Sequence, residues 1–340
     1  MFSKSRTKLV GWFSEEYNEG WGMAEHDFAS ACYHSGMRLR YSMEIAVKHL
    51  YHPPNAVNDK NRELWKTRTE AHRKYLGTFT PYNPAVAVLM VSMMRPYYID
   101  QGMQAIFRNN LPLKVRLVNN GDQSEKQRGK MFPWSRRWAV NYVNHQQRML
   151  LANIRSDAIR DYSQKKYKYL ILVDDDITPL GNSLVNLVSE METHPEYHAL
   201  SGYVIDGTRK RFIGGKIKDN RHYYYMPVTT ETHPADYTSS GFTITRLDNA
   251  VPFPSDWEMG WNDWDWSNEI RKRGLRIGVT GKAGAYHRQI FTSKGRIQQA
   301  DSSEYNKMRY DKERHVKMAQ KFKEKWGYTP VPARPITEMT

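Results

Sequence analysis

The feature that most constrains this chain of 340 residues is a pair of short apolar runs. Ala85-Val-Ala-Val-Leu-Met-Val91 lies between Pro84 and Arg95-Pro96, and Tyr167-Lys-Tyr-Leu-Ile-Leu-Val173 runs directly into Asp174-Asp-Asp176. Apolar stretches of this length without polar alternation read as strands buried on both faces, which requires helices above and below the sheet. Helical spacing is found from about Ile99 to Arg108, from His145 to Tyr162 and from Ser183 to Thr193. The last places Leu184, Leu187, Val188 and Met191 at i, i+3, i+4 and i+7. A further strand, Lys114 to Val118, breaks at the turn-forming cluster Asn119-Asn-Gly-Asp122, and the polar and aromatic segment Gln123 to Tyr142 reads as loops. Strands alternating with helices predict an α/β fold: a mostly parallel sheet with helices on both faces and a ligand site beyond the carboxyl ends of its strands.

Beyond Leu200 the pattern changes to shorter segments, namely Ala199 to Ile205, Arg211 to Ile217, His222 to Val228 and Gly241 to Thr245. This half reads as a mixed-sheet, loop-rich region that would face an acceptor. Ser303 to Trp326 reads as a basic helix, and the Pro-rich stretch from Thr329 as an arm or a poorly ordered terminus. The expected division is therefore an appendage over 1–80, a main domain over 81–300 and a basic helix with tail over 301–340.

Lys and Arg number 51 against 36 Asp and Glu, a formal charge of +15 that concentrates polyanions and nucleotides near the surface. The basic groups recur in short clusters, Arg209-Lys-Arg211 and Arg271-Lys-Arg273 among them, which serve equally as solvated faces or as contacts to a polyanion. A single cysteine, Cys32, excludes an intramolecular disulfide and a multi-thiolate zinc site. No apolar run is long enough for a signal peptide or a membrane span. The expectation is a soluble cytoplasmic protein whose basic face can rest on an anionic membrane.

Three groups of residues carry chemistry. In extended backbone, residues i and i+2 project to one side, so Asp174 and Asp176 can converge on one hard cation while Asp175 points elsewhere. Such an ion would relieve the repulsion of adjacent carboxylates and neutralise a departing diphosphate. The structural alternative is a solvated acidic turn ahead of the next helix. In Trp261-Asn-Asp-Trp-Asp-Trp266, carboxylates at Asp263 and Asp265 stand among indoles, where desolvation favours a general base and aromatic faces can stack on sugar rings; the alternative is a helix N-cap. Third, His287 follows the strand-like stretch Leu275 to Thr280, as a structural histidine or a further ligand to the same cation.

From Pro84 to about His287 the order of these features resembles the inverting glycosyltransferases of the GT-A fold, especially glycosyltransferase family 2. Arg95-Pro96 resembles that family's Asn-Arg-Pro turn, Asn119-Asn-Gly-Asp122 its nucleoside-binding Asp-Asp-Gly-Ser turn, and Ala152-Asn-Ile-Arg155 its Ala-Arg-Asn helix. Asp174-Asp-Asp176 resembles the Asp-x-Asp metal motif, and Asn262-Asp263-Trp-Asp265 with Arg271 and Gly274 the Glu-Asp-x-Asp segment. Asn119 stands where the family has an acid, and Asn262 where it has Glu. The resemblance implies a nucleotide-sugar donor, with a UDP-sugar expected, and Mn2+ or Mg2+ held by Asp174, Asp176 and His287. It implies donor contacts from Arg95, Pro96, Asn119, Asn120, Asp122, Arg155, Asp174 and Asp175, and a lid bearing Lys294 and Arg296. Asp263 would be the base with Asp265 as a second catalytic carboxylate, and Ser240, Gly241, Trp261 and Trp264 would face the acceptor, a glycan or a modified DNA base.

Gly20-Trp-Gly-Met-Ala-Glu-His-Asp-Phe28 resembles the same terminal part of a glycosyltransferase module, with Glu25 and Asp27 in places analogous to Asp263 and Asp265. The segment 1–80 is then a module remnant, an acceptor-binding appendage or an oligomer contact, or a helical cap. His26, His34, His49 and His52 with Glu25 form an alternative metal set. Two further readings of the whole chain are a nucleotidyltransferase, disfavoured because Ser92-Met-Met-Arg95 is not Gly-rich, and a non-catalytic basic module that binds nucleic acid or glycan.

Overall fold

A computed structural model describes residues 62–64, 66–67, 86–288 apart from 94, 110, 112, 136–139, 208, 220–221, 256 and 258–260, then 290–292, 295–297 and 311–332. The chain divides into two compact units, Met1–Asn83 and Pro84–Thr340. In the first, residues 62–64 and 66–67 are helical, with Lys66 paired to Glu63 at 2.6 Å. The expectations for Glu25, Asp27, Cys32 and the histidine set fall outside the described residues.

The second unit begins with the strand-helix-strand unit that the apolar runs predict. β1 (Val86–Ser92) leads to α1 (Pro96–Arg108) and β2 (Leu113–Asn120). Pro96 at the first helical position loses no hydrogen bond, since that N–H has no intrahelical partner in any helix. The segment expected to be loop instead forms α2 (Glu125–Ser135) and β3 (Val140–His145). α2 hides from periodicity because it buries only Gln127, Met131 and Trp134 and carries Gly129 and Pro133. β3 is an edge strand with only Val140 buried, so α3 (Leu151–Gln164) starts at Leu151 rather than at His145.

The chain continues through β4 (Tyr169–Asp174), β5 (Ile177–Pro179), α4 (Ser183–Thr193) and β6 (Tyr197–Asp206). β7 (Arg209–Phe212), β8 (Gly214–Lys218), β9 (His222–Tyr225), β10 (Thr232–Ala235), β11 (Tyr237–Thr238) and β12 (Phe242–Arg246) follow as short strands. α5 (Asn262–Lys272), β13 (Arg276–His287), the hairpin β14 (Ile290–Thr292) and β15 (Gly295–Ile297), α6 (Lys312–Trp326) and β16 (Val331–Pro332) complete it. Of the tail expected to be loose, Val331 and Pro332 pair with His222 and Tyr223 of β9, and 333–340 fall outside the described residues.

The main sheet runs β10-β13-β6-β12-β4-β1-β2-β3, with β5 on β13 and β7 on β6. The pairings make β1, β2, β3, β4, β6 and β13 point one way and reverse β12 and β10. Alternation along β1 sends Val86, Val88 and Met90 to one face with Ile99, Met103 and Ile106 of α1 and Leu184, Leu187 and Met191 of α4. Ala87 and Leu89 meet Ala158 and Ile159 of α3 and Trp266 and Ile270 of α5 on the other. Each such fully buried aliphatic or aromatic side chain contributes about 1.5–3 kcal/mol. The reversed strand β12 matters for the site, because Phe242 pairs with Val173 and so brings the Ser239-Ser240-Gly241 approach beside Asp174.

Candidate active site

Asp174 closes β4, and its backbone N–H donates to the carbonyl of Gly241 at 2.9 Å. Asp175 and Asp176 form the turn between β4 and β5, so the carboxylates diverge through a turn and not by extended alternation. Asp174 and Asp176 line a cleft of about 280 Å³, shared with Arg95, Ile177, Arg211, Tyr223, Tyr237, Ser239, Gly241, Asp263, Trp264 and His287. Asp175 turns beneath the strand ends, where Ser92 Oγ donates to it at 2.7 Å and Gln127 Nε2 donates to Ser92 at 2.9 Å. Burial pushes the Asp175 carboxyl up to about 7, against the opposing pull of Arg95 at 3.2 Å. Burial also raises Asp174, with Arg155 opposing it and the nearby Asp176 and Asp263 adding to it.

Two guanidinium groups organise the acidic wall. Arg95, at the N-cap of α1, reaches Asp175 and makes a close pair with Asp176. Arg155 of α3 is buried over the ring of Phe253 and donates to Asp174 at 2.9 Å and to Asp263 at 3.1 Å. Asp263, in the first turn of α5, also accepts from Ser239 Oγ at 3.2 Å and from Ser240 Oγ. The buried arginine therefore links the strand-end carboxylate to the helix carboxylate, which lies 108 residues beyond the arginine in sequence. Gly241 permits the approach: a Cβ there would stand 3.1 Å from Asp174 Oδ2.

His287 reaches the cleft through β13, whose end pairs with β5 so that His287 lies opposite Ile177. Its Nε2 is 3.4 Å from Asp176 Oδ2 and its Nδ1 is 3.6 Å from Asp206 Oδ2. Two carboxylates and an imidazole on one cleft form a donor set suited to a hard divalent cation. Among the described residues no three acidic, His or Cys groups converge at ligating range, because Arg95 and Arg155 hold the carboxylates. On the opposite wall Trp264 stacks on Tyr237 at 4.0 Å and 23°, with Tyr223 at 4.7 Å from the indole.

Several expected residues stand elsewhere. Asp265 does not line the cleft: it is fully buried and faces Trp257, Lys325 and Trp326. An i, i+2 pair on a helix points to nearly opposite sides, so only one of the two carboxylates can share the cleft. Trp261 does not line the cleft and packs against Phe322 at 5.4 Å. Asn119, Asn120 and Asp122 lie at the carboxyl end of β2 but knit the sheet edge. Asn119 donates to Asn144 at 2.7 Å and to the Asp122 carbonyl at 2.6 Å, Asn120 donates to the Met149 carbonyl at 3.0 Å, and Asp122 accepts from Ser124 N–H at 2.9 Å. A second cavity of about 420 Å³ opens beside them, lined by Glu125, Arg128, Gly129, Phe132, Tyr142 and Asn144. Pro96 is described by its backbone alone, Lys294 falls outside the described residues, and Arg296 is placed only as a β15 backbone position. Sequence reasoning missed Ser239, Arg211, Tyr223 and Tyr237. The Ser-Ser-Gly opening a strand was the readable signal for Ser239; strand pairing alone brings in the other three.

No protein-family model matches the sequence, and no curated protein matches it. Solved structures do. The GalNAc-T7 crystal structure with UDP, GalNAc and Mn2+ aligns with a TM-score of 0.50 at 14% identity, over 59% of this chain and 43% of that one. The fold is that of the GT-A glycosyltransferases. S. aureus TarS 1-349 in complex with UDP-GlcNAc aligns at 0.45 and 16% identity, over 60% of this chain and 58% of that one. The Pyrobaculum calidifontis mannosyltransferase PcManGT in complex with GDP-Man and Mn2+ aligns at 0.42 and 16%, over 60% and 57%. The chain spans less than two thirds of the length of each of these proteins. Its cleft lies beyond the carboxyl ends of β1 and β4, where an open α/β sheet presents its ligands.

Proposed function

We propose that this protein is a divalent-metal-dependent inverting glycosyltransferase that moves a sugar from a nucleotide-sugar, expected to be a UDP-sugar, to an acceptor hydroxyl. The observation that carries the reading is the arrangement of Asp263, held by Arg155, Ser239 and Ser240 on the cleft that Asp174, Asp176 and His287 also line. Asp174, Asp176 and His287 would hold Mn2+ or Mg2+, which when bound neutralises charge on the diphosphate.

Asp263 takes the proton of the acceptor hydroxyl as its oxygen attacks the anomeric carbon. The bond from that carbon to the diphosphate oxygen breaks in the same displacement, the electron pair leaves with the nucleoside diphosphate, and the configuration inverts. Four donors on one carboxylate, with Asn262 Nδ2 at 3.3 Å as the fourth, fix where its free lone pairs point, which is the orientation a base needs. Arg95 is placed to take diphosphate charge, and the cavity bounded by Phe132, Tyr142 and Arg128 is the proposed seat of the nucleoside. Trp264, stacked on Tyr237, offers an aromatic face to the acceptor, which is a glycan or a modified DNA base. Among the described residues no helix is long and apolar enough to cross a membrane.

The test is incubation with Mn2+ and a panel of nucleotide-sugars, reading released nucleoside diphosphate. Turnover with at least one donor, abolished in Asp176→Ala, supports the proposal. Absence of turnover with every donor, together with unchanged nucleotide and Mn2+ affinity in Asp176→Ala, overturns it in favour of a non-catalytic binding module.

A further inference from the structure

Asp265 is a buried carboxylate that the proposed reaction does not use, and its partners come from the other end of the chain. Trp257 Nε1 donates to it from the loop before α5, and Lys325 Nζ at 2.9 Å and Trp326 Nε1 donate from α6. Lys325 also reaches Glu269 at 2.9 Å, and the Tyr328 hydroxyl donates to Asn268 at 3.1 Å. Residues 265, 268 and 269 form one helix face by the i, i+3, i+4 rule, so the C-terminal segment grips α5 along a single stripe. Phe322, fully buried, packs against Trp257, Trp261 and Tyr328 at 5.8, 5.4 and 5.4 Å. Gly327, at φ 77°, ends α6 in the left-handed region and turns the chain toward β16, which pairs with the strand carrying Tyr223. Residues 311–332 therefore touch both elements of the proposed acceptor wall: α5 with Asp263 and Trp264, and β9 with Tyr223.

We infer that the C-terminal segment is a buttress that sets the position of Asp263, and that Asp265 is the positioning residue through which it acts. The inference rests on the transferase reading. Asp263 and Asp265 share one helical turn, about 200° apart around the axis, so the cleft holds one and the buttress the other. A shift of the first turn of α5 moves both together, and the donors that Asp263 receives from outside α5 are Arg155, Ser239 and Ser240 among the described residues. Burial pulls the Lys325 ammonium down, but its hydrogen bonds to Asp265 and Glu269 outweigh that and hold it above the usual lysine value. The anchor is thus a lasting ion pair rather than a neutral contact.

The experiment uses the full chain with the donor that the wild type turns over. Asp265→Asn and Lys325→Met are each expected to lower kcat about 10- to 100-fold, the loss that a displacement near 1 Å brings. Donor KM and nucleotide affinity by calorimetry stay within about two-fold in each, since Arg95, Asp176 and the second cavity do not touch the buttress, which also certifies folding. The double variant, which removes both charges, falls less than the product of the two single losses. Hydrogen exchange quickens in α5 and β9 while β1 and β4 keep wild-type protection. An unchanged kcat overturns the inference, as does a loss of kcat matched by equal loss of nucleotide affinity. If the wild type turns over no donor, the transferase reading fails by itself. Faster exchange confined to α5 and β9 then retains the buttress as a structural anchor of the Asp263 turn, and uniform or absent change removes it.

Discussion

Arg155 is the residue on which the two halves of the cleft meet. Its guanidinium is buried, and it spans Asp174 of β4 and Asp263 of α5, so shortening it leaves two carboxylates facing each other without a cation between them. Arg155→Met is expected to reduce transfer about 100-fold, and the two half-exposed carboxylates left facing each other lower stability. Binding of Mn2+ without nucleotide should tighten in the same variant, because the competing positive charge beside Asp174 is gone; titration followed by electron paramagnetic resonance reads this, and weaker binding would refute it. Asp263→Asn is a cleaner probe, since an amide keeps the shape and still accepts from Ser239, but takes no proton. It should lower kcat by roughly 10²–10⁴-fold with nucleotide affinity intact.

His198 adds a pH dependence unrelated to catalysis. It is buried in β6 beside Thr245, 3.3 Å from its hydroxyl, and burial pulls its pKa down to about 4. An unfolded imidazole titrates near 6.5, so the fold prefers the neutral form. The stability this gives is complete above about pH 6.5 and is lost as the pH falls toward 4, by on the order of 2–3 kcal/mol. Urea denaturation at pH 7 and pH 4.5 should show a smaller difference in His198→Gln than in the wild type; equal differences would assign the loss to carboxylates instead.

Among the elements, the contact of β6 with β13 is built on glycine. Register shifts between Val279 and Gly284, and inside that interval a Cβ on Gly281 would fall 1.4 Å from the carbonyl oxygen of Thr229, a backbone atom that cannot rotate away. At Gly202 the obstacle is the Ala283 carbonyl at 2.5 Å. Gly281→Ala should therefore destabilise by about 1–3 kcal/mol or more, a fall in Tm of several degrees, and loosen the strand that delivers His287. An unchanged Tm would show that the 229–230 turn yields at no cost.

What could be read from the residues follows from how local each element's signal is. β1, β4 and α4 announce themselves because burial on both faces or along one stripe forces an unbroken or periodic apolar pattern. α2 and β3 do not, for α2 buries a Gln and a Trp among polar residues and β3 is an edge strand. The same divide separates the site residues. Asp174 and Asp176 stand where a buried apolar strand runs into an acidic turn, which is a local signal, whereas Arg211, Tyr223 and Tyr237 join the cleft through pairings between strands that share no sequence signal. Asp265 reads as a second catalytic carboxylate in sequence but is buried away from the cleft, because a carboxylate among tryptophans looks the same in sequence whether it faces a substrate or the Lys325 ammonium.

At the scale of the whole molecule the formal charge is +15, and part of it lies beside the acceptor wall. Arg209, Lys210 and Lys218 are exposed on the strands flanking Arg211, which itself lines the cleft, and Lys210 lies over the ring of Tyr203 at 5.9 Å. A nucleic acid lying along β7 and β8 would meet cations with aromatic rings between them, and a base would have to leave the stack to enter a cleft of about 280 Å³. A neutral glycan needs no such cations. The two acceptors separate by salt, because each phosphate neutralised releases condensed counterions. With about five contacts, affinity for duplex DNA should fall by roughly 10²–10³-fold between 50 and 200 mM salt. Replacing Arg209, Lys210 and Lys218 together by Gln should reduce the slope by about three, as fluorescence anisotropy on a labelled duplex would measure. A slope near zero in the wild type removes DNA as the acceptor and leaves the stacked Trp264 and Tyr237 facing a sugar.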